Sequence, residues 1–443
     1  MRRYLWLIIL VVVIGLLIGY RTQVSSVTET APVAPSHAKR NGQGTPLLPF
    51  DRTKVVSLEF HHSRTPAIII MRQGNGKWVL EFPFKAPADT YLVERSLMAL
   101  NFTTAAGPAP ESGAEAAQFG LGKENAATKV VIRTEQGDLW LELGGASPNG
   151  AMRYARTSER SDVVLIDKGH VRGFPKTADE VLDKRVFPLA DEPLSGIDIK
   201  EGTTSFALQA GDKRWSFALP SRGATDVQAM TEWLKRVAAI AADAVRSAEE
   251  ITDPKSTPLI GSLRMTAGRM TVTTDLYRAG EQVIARRSDQ PHLQYVMSAA
   301  LLPLIFPDPF AIRDKHLLDA AIDAIAVVEM RQHGAPLRLT RTTAGWTSNG
   351  RRLPEGSAGA MESWVKELQQ AQGIELIPAL ERCGMKDPSR WDVTLRGYEG
   401  QILGRVKFAR TSACGDVGTL PSGEWIRLQN TGLIDRMPAS RFS

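Results

Sequence analysis

The chain has 443 residues, of which 43% are hydrophobic and 23% charged. Those values lie in the globular range, and the length implies two or three domains rather than one. The net charge of +6 is spread over scattered Lys and Arg. That excludes the dense basic stripe with neighbouring aromatics that nucleic acid needs, while contact with an anionic membrane or polysaccharide stays open.

The first element is apolar. Residues 4–20 carry no charge, and twelve of the seventeen are Leu, Ile or Val. At about 1.5 Å rise per residue the run reaches roughly 25 Å, enough for a hydrocarbon core with Tyr4, Trp6 and Tyr20 at its interfaces. Arg2 and Arg3 precede it and only Arg21 follows closely. The positive-inside rule then leaves residues 1–3 as a cytoplasmic stub and exports the rest. A cleaved signal peptide is the competing reading. It needs small residues soon after the run, where this chain has Gly19, Tyr20, Arg21 and Thr22. The expectation is an uncleaved transmembrane helix at 4–20. Residues 21–49 are rich in Ser, Thr, Ala, Pro and Gly and read as a flexible tether.

Beyond the tether one pattern recurs three times. Trp78, Trp215 and Trp346 are separated by 137 and 131 residues, and each follows a run of alternating polar and apolar residues. Such alternation predicts half-buried strands leading into a hairpin. Eleven residues after each Trp stands a helix-capping type: Asp89, Asp226 and Ser357. Amphipathic helices follow, with Leu92, Val93, Leu97 and Leu100 in the first copy. Val227, Met230, Trp233, Leu234 and Val237 mark the second, and Met361, Trp364, Val365 and Leu368 the third. A second β-rich stretch comes later in copies one and three, preceded by Phe119-Gly120-Leu121 and Cys383-Gly384-Met385. Copy two shows no obvious equivalent. The copies close on Asp183-Lys184, Asp314-Lys315 and Asp435-Arg436. The predicted fold is α+β: a transmembrane helix, then three antiparallel-sheet-plus-helix repeats at 50–190, 191–320 (degenerate) and 321–443. The three recurring tryptophans read as core anchors.

Two cysteines, Cys383 and Cys414, are expected to pair as one disulfide in an oxidising compartment; the alternative is two free thiols, as in an organism that exports few disulfides. Without a nearby His they are poor metal ligands. Of the seven histidines only His61 and His62 are close, and neighbours on a strand point to opposite faces. Glu249, Glu250 and Asp253 read as a solvated loop ending at Pro254. No phosphate loop, nucleophile elbow, dinucleotide fingerprint or zinc-protease motif is present, so no catalytic, cofactor or metal residue is assigned.

The hairpin Gly76-Lys77-Trp78 ending in Pro83, followed by Ala88-Asp89 and a Leu-rich helix, resembles the exported family called domain of unknown function 4340. So do Phe119-Gly120-Leu121, Gly144-Gly145, Arg153-Tyr154-Ala155-Arg156 and Leu182-Asp183-Lys184-Arg185. The resemblance covers copy one and part of copy three. It implies a protein of the bacterial inner membrane facing the periplasm, without catalysis, similar to auxiliary subunits beside gliding-motility-type ABC transporters. It supplies no site residues. The functional expectation is a non-enzymatic, membrane-anchored partner or scaffold protein with protein partners in the inner membrane or periplasm, no nucleic acid and no cofactor. The alternative is a module that binds an envelope glycan or exported substrate, and a hydrolase with dispersed residues stands third.

Overall fold

The computed structural model describes residues 46–108, 116–122, 127–220, 222–248, 257–332, 337–377, 383–384, 391–429 and 432–437. The expected membrane helix at 4–20, nearly all of the tether and the acidic cluster at Glu249, Glu250 and Asp253 lie outside the described residues. No helix among those described is long and apolar enough to cross a membrane, which says nothing of spanning strands.

Three nine-stranded antiparallel sheets follow one another along the chain. The first holds β1 (Val55–His62), β2 (Thr65–Arg72), β3 (Trp78–Phe82), β4 (Ala86–Pro87), β5 (Gly107–Pro108), β6 (Thr128–Thr134), β7 (Gly137–Ala146), β8 (Met152–Thr157) and β9 (Arg160–Asp167). The second holds β10 (Gly196–Glu201), β11 (Thr204–Ala210), β12 (Trp215–Leu219), β13 (Gly223–Ala224), β14 (Ala244–Ser247), β15 (Leu259–Ala267), β16 (Met270–Ala279), β17 (Gln282–Arg287) and β18 (Gln290–Ser298). The third holds β19 (Val327–Arg331), β20 (Leu337–Thr342), β21 (Gly345–Ser348), β22 (Arg351–Arg352), β23 (Gly373–Ile377), β24 (Trp391–Arg396), β25 (Ile402–Thr411), β26 (Gly415–Thr419) and β27 (Trp425–Leu428). The strand order is the same each time, β4-β3-β2-β1-β6-β7-β8-β9-β5 in the first.

One helix per sheet lies in sequence between the fourth strand and the fifth, which take opposite edges: α1 (Thr90–Phe102), α2 (Val227–Ala238) and α3 (Glu355–Gln370). Sheet dominates so far that the fold is more nearly all-β, which corrects the expected α+β class. The tandem arrangement of three sheet repeats stands. Copy two carries its second β stretch after all, as β15 to β18. It is hard to read because outward positions hold Arg264, Thr266, Thr271, Thr273 and Asp275, with no Phe-Gly-Leu turn to announce it.

Backbone packing divides the chain into two compact units. Among the described residues, the smaller holds 46–53, 98–108, 116–122, 127–129 and 139–173; the larger holds 54–97, 130–138 and those from 174 onward.

Within the larger unit, period-2 burial explains the strands. In β10, Ile197 and Ile199 are buried while Asp198 and Lys200 face out; in β24, Trp391, Val393 and Leu395 are buried between Asp392, Thr394 and Arg396. Helix stripes close the inner faces. Met230, Trp233 and Val237 of α2 are buried, as are Met361, Trp364, Val365 and Leu368 of α3. Trp233 and Trp364 donate their indole N–H groups to the Ile305 and Leu433 carbonyls at 3.3 and 3.0 Å, so neither buried donor is orphaned.

Two of the three expected caps hold. The Asp89 carboxylate accepts from the Tyr91 and Leu92 amides, and Asp226 from Ala229. The third differs: α3 starts at Glu355 with Pro354 at its N-cap, so Ser357 lies inside the helix. The fixed φ of Pro354 presets the entry, and the shorter β21–β22 hairpin moves it upstream.

Within the smaller unit, the Phe119 turn packs on β8, its ring 4.5 Å from that of Tyr154. Gly120 takes a positive φ there, and Gly384 does the same after Cys383 in the third repeat. Gly144 lets the turn approach: a methyl at that position would lie 2.2 Å from the Phe119 carbonyl oxygen, against 3.7 Å at Gly145. Gly144→Ala is therefore expected to destabilise this unit by about 1–3 kcal/mol, and Gly145→Ala to change it far less. Denaturant melts that place the two variants level would count against this account.

Candidate functional site

The segments that join the repeats carry the most organised polar geometry. After β9 the chain runs through Val181-Leu182-Asp183-Lys184-Arg185 and touches two repeats at once. Asp89 donates its amide to the Val181 carbonyl at 2.8 Å, and Asp183 donates to the Pro87 carbonyl at 2.9 Å, closing the β4 edge of the first repeat. Two residues on, Ala242 donates to Lys184 at 2.8 Å and Val186 donates to Ile240 at 3.3 Å, both in the second repeat. The next connector repeats the pattern. Asp226 donates to Ile312, Asp314 to Ala224, Gly373 to Lys315 and Leu317 to Ala371, at 3.0–3.2 Å. The closing Asp-Lys pairs of copies one and two thus stand at the junctions of the array. Asp435-Arg436 is not their counterpart. It follows Leu433 by two residues, whereas Asp314 follows the matching Ile305 by nine, and Asp435 pairs with Arg410 at 2.7 Å.

At the first connector a groove of about 990 Å³ opens, lined entirely by residues of the larger unit. Its walls are the β3–β4 hairpin, the start of α1, the connector, and the turns β15–β16 and β17–β18. Five basic and six acidic side chains line it, and most are tied to one another. Arg185 grips Asp183 through Nε and Nη2 at 3.0 and 2.6 Å, and Lys184 meets Asp179 at 2.5 Å. Arg287 donates to both oxygens of Asp289, to the Arg185 carbonyl at 2.9 Å and to the Tyr295 hydroxyl at 3.1 Å. His292 reaches the Lys85 carbonyl at 3.0 Å.

These contacts set the protonation states. Burial by itself would raise Asp183, but hydrogen bonds from the Arg185 side chain and backbone and the charges of Arg185 and Arg287 hold it below its usual range. Asp183 in turn raises Arg185. Burial pushes the Tyr295 hydroxyl up to about 12, so it stays neutral. At the second connector the space between Arg313 and Ser422 is about 110 Å³, beside a shallower hollow of about 410 Å³ against Leu318 and Gln369. There Arg313 lies 4.4 Å over the Phe217 ring and donates to Glu424 and to Ser422.

The predicted residues are not gathered in one place, since each tryptophan belongs to a different sheet. Trp78 and Trp346 are buried to 1% and 2% exposure. Each indole N–H donates to a helix glutamate sixteen residues on, Glu94 at 3.0 Å and Glu362 at 2.9 Å. Each ring lies under an arginine, Arg72 or Arg341, that pairs with the same glutamate. Trp215 departs from its assignment as a core anchor: it is only half-buried. Ala210 stands opposite it on β11 and Thr231 sixteen residues on, so both partners of the ring are missing. Cys383 and Cys414 are joined, S–S 2.02 Å, tying the third repeat's turn to the β25–β26 hairpin. His61 and His62 have separate partners, Glu59 and the Pro175 carbonyl, both at 2.9 Å. Among the described residues no cluster of three or more His, Cys, Asp or Glu side chains could hold a metal ion. Tyr91, Arg287, His292 and Tyr295 carry no motif; only the Leu-Asp-Lys-Arg connector was visible beforehand.

Residues 78–259 match the sequence model of the family described as domain of unknown function (DUF4340). The chain resembles the DUF4340 family there. The match runs from Trp78 of the first sheet to Leu259 at the start of β15, so it includes the first connector and much of the groove. No curated protein matches. Among solved structures, a DNA polymerase III subunit beta sliding clamp from Bartonella birtlesii LL-WM9 aligns at 8% identity, over 87% of this chain and 95% of its own. Its TM-score of 0.12 is too low to carry any argument about fold.

Because Asp183 is depressed, its contribution to stability is present above the unfolded value of about pH 4 and is lost as pH falls through the folded value. The protection factors of the Asp183–Val186 amides, with the pH dependence of intrinsic exchange divided out, should therefore fall on acidification from about pH 5 to 3. Asp183→Asn should flatten that dependence; an unchanged profile in the variant would rule out Asp183 as the titrating group.

Proposed function

We propose that this DUF4340-like chain is a non-catalytic, membrane-anchored partner protein of the bacterial envelope, auxiliary to an ABC-type transport or related complex. The observation that carries the reading is the tandem construction. Connectors hydrogen-bonded on both sides lock successive sheets together, which suits a scaffold more than a reaction centre. Three ion pairs of the groove at the first connector, Arg185 with Asp183, Lys184 with Asp179 and Arg287 with Asp289, neutralise one another, whereas catalytic acids and bases are typically left poised near the working pH. The Cys383–Cys414 bridge fits an oxidising compartment, in line with export by an N-terminal helix at 4–20.

Solubilised membranes from cells making the full chain with a tag after Ser443 supply the test. Recovery of an ATPase and a permease with the chain is the expected result; a lone monomer would sink the partner reading. In intact cells Cys383 and Cys414 should resist thiol alkylation until a reductant is added, and a reporter fused after Ser443 should be active only on the extracytoplasmic side. A cytosolic signal from either would remove the export part of the proposal.

A further inference from the structure

We infer that the groove at the first connector is a binding site for a short, uncharged oligosaccharide. This goes beyond the scaffold reading and does not depend on which complex the chain joins. The groove's volume, about 990 Å³, is at the top of the small-ligand range of roughly 300–1,000 Å³. It is not an automatic product of the repeat. At the second connector Arg313, Glu424 and Ser422 occupy the matching space, whereas Leu182 takes the place of Arg313 at the first.

The chemistry of the walls selects the ligand. Arg287, Asp289, Asp183 and Arg185 are planar groups fixed in orientation by one another. Their charges cancel in pairs, so a strongly charged ligand gains little from them. Asp183 already accepts four hydrogen bonds from Arg185, but spare capacity remains on the Arg185 guanidinium, which has five N–H donors and grips Asp183 through Nε and Nη2, and on Asp289, whose four or so lone-pair sites exceed its two bonds from Arg287. Hydroxyl groups, which donate and accept, match such a surface. At the rim Tyr91 is 72% exposed and offers an aromatic face to the C–H side of a sugar ring, with Met270, 51% exposed, also on the lining.

A peptide fits less well. Addition of a strand at β4 is blocked, because the Pro87 carbonyl already accepts from Asp183 and the Asp89 amide already donates to Val181. Tyr91 and Met270 are the large exposed apolar side chains of the lining, and both stand where solvent reaches them, so deep pockets for apolar anchors are missing.

Saturation-transfer NMR and calorimetry on the full chain in detergent decide the matter. The neutral probes are chitotetraose and maltotetraose; a heparin tetrasaccharide and a mixed-charge decapeptide are the contrasts. At least one neutral probe should bind saturably. Tyr91→Ala should weaken it about tenfold, and Met270→Trp, which narrows the mouth, should weaken it as well. Both positions are exposed, and unchanged circular dichroism would confirm that the variants fold. Failure of both neutral probes at millimolar concentration, equal binding by both variants, or tighter binding of the heparin fragment or the peptide would each overturn the assignment. The transporter pull-down is read separately, so either idea can fail alone.

Discussion

An open strand edge exposes backbone N–H and C=O groups that must find partners, and the rest of this molecule depends on how that constraint is met. Several outer strands are cut to two residues, as in β4, β5, β13 and β22. At β4 and β13 the edge is then sealed by the chain on its way to the next repeat. Because the connector also pairs with the segment after the next helix, the bonds that silence an edge also fix two repeats in register. The groove exists because this seal is made of backbone, leaving the side chains of Asp183, Lys184 and Arg185 to line a wall.

The repeats have diverged in what covers them. The first and third keep an arginine, a buried tryptophan and a helix glutamate in mutual contact. In the third, burial would raise Glu362, but the Trp346 and Arg341 hydrogen bonds bring it below its usual value. The cover over the second half of the sheet is an aromatic contact, Phe119 on Tyr154, in the first repeat and a covalent bond, Cys383 to Cys414, in the third. The middle repeat lacks the arginine and glutamate and leaves Trp215 half-buried. It supplies the far wall of the groove instead, through Met270, Arg287, Asp289 and His292.

Much of the fold was legible because it is local. Alternation in β10 and β24, the caps at Asp89 and Asp226, and the apolar stripe of α3 are short-range patterns with a direct physical cause. The misreadings arose where local signals compete. Ser357 is a good capping type, but Pro354 was already placed to start the helix. Asp435-Arg436 matches the other closing pairs in type, yet sits at a different point of its repeat. The polar outer face of β15 and β16 hid the second half of the middle sheet.

The sequence by itself determined the period of the array, the existence of a strand-helix-strand repeat and the resemblance to DUF4340, because residue types at fixed spacing report local structure. Only the tertiary structure decided that sheet outweighs helix, that the Asp-Lys pairs are junctions, and that a groove opens at one junction where Arg313 and Glu424 occupy the matching place at the other. Those features rest on contacts such as Arg287 with Arg185 and Arg313 with Glu424, made between residues about a hundred positions apart. No local pattern encodes such a meeting; it is set when hydrogen bonds between repeats choose one register out of many.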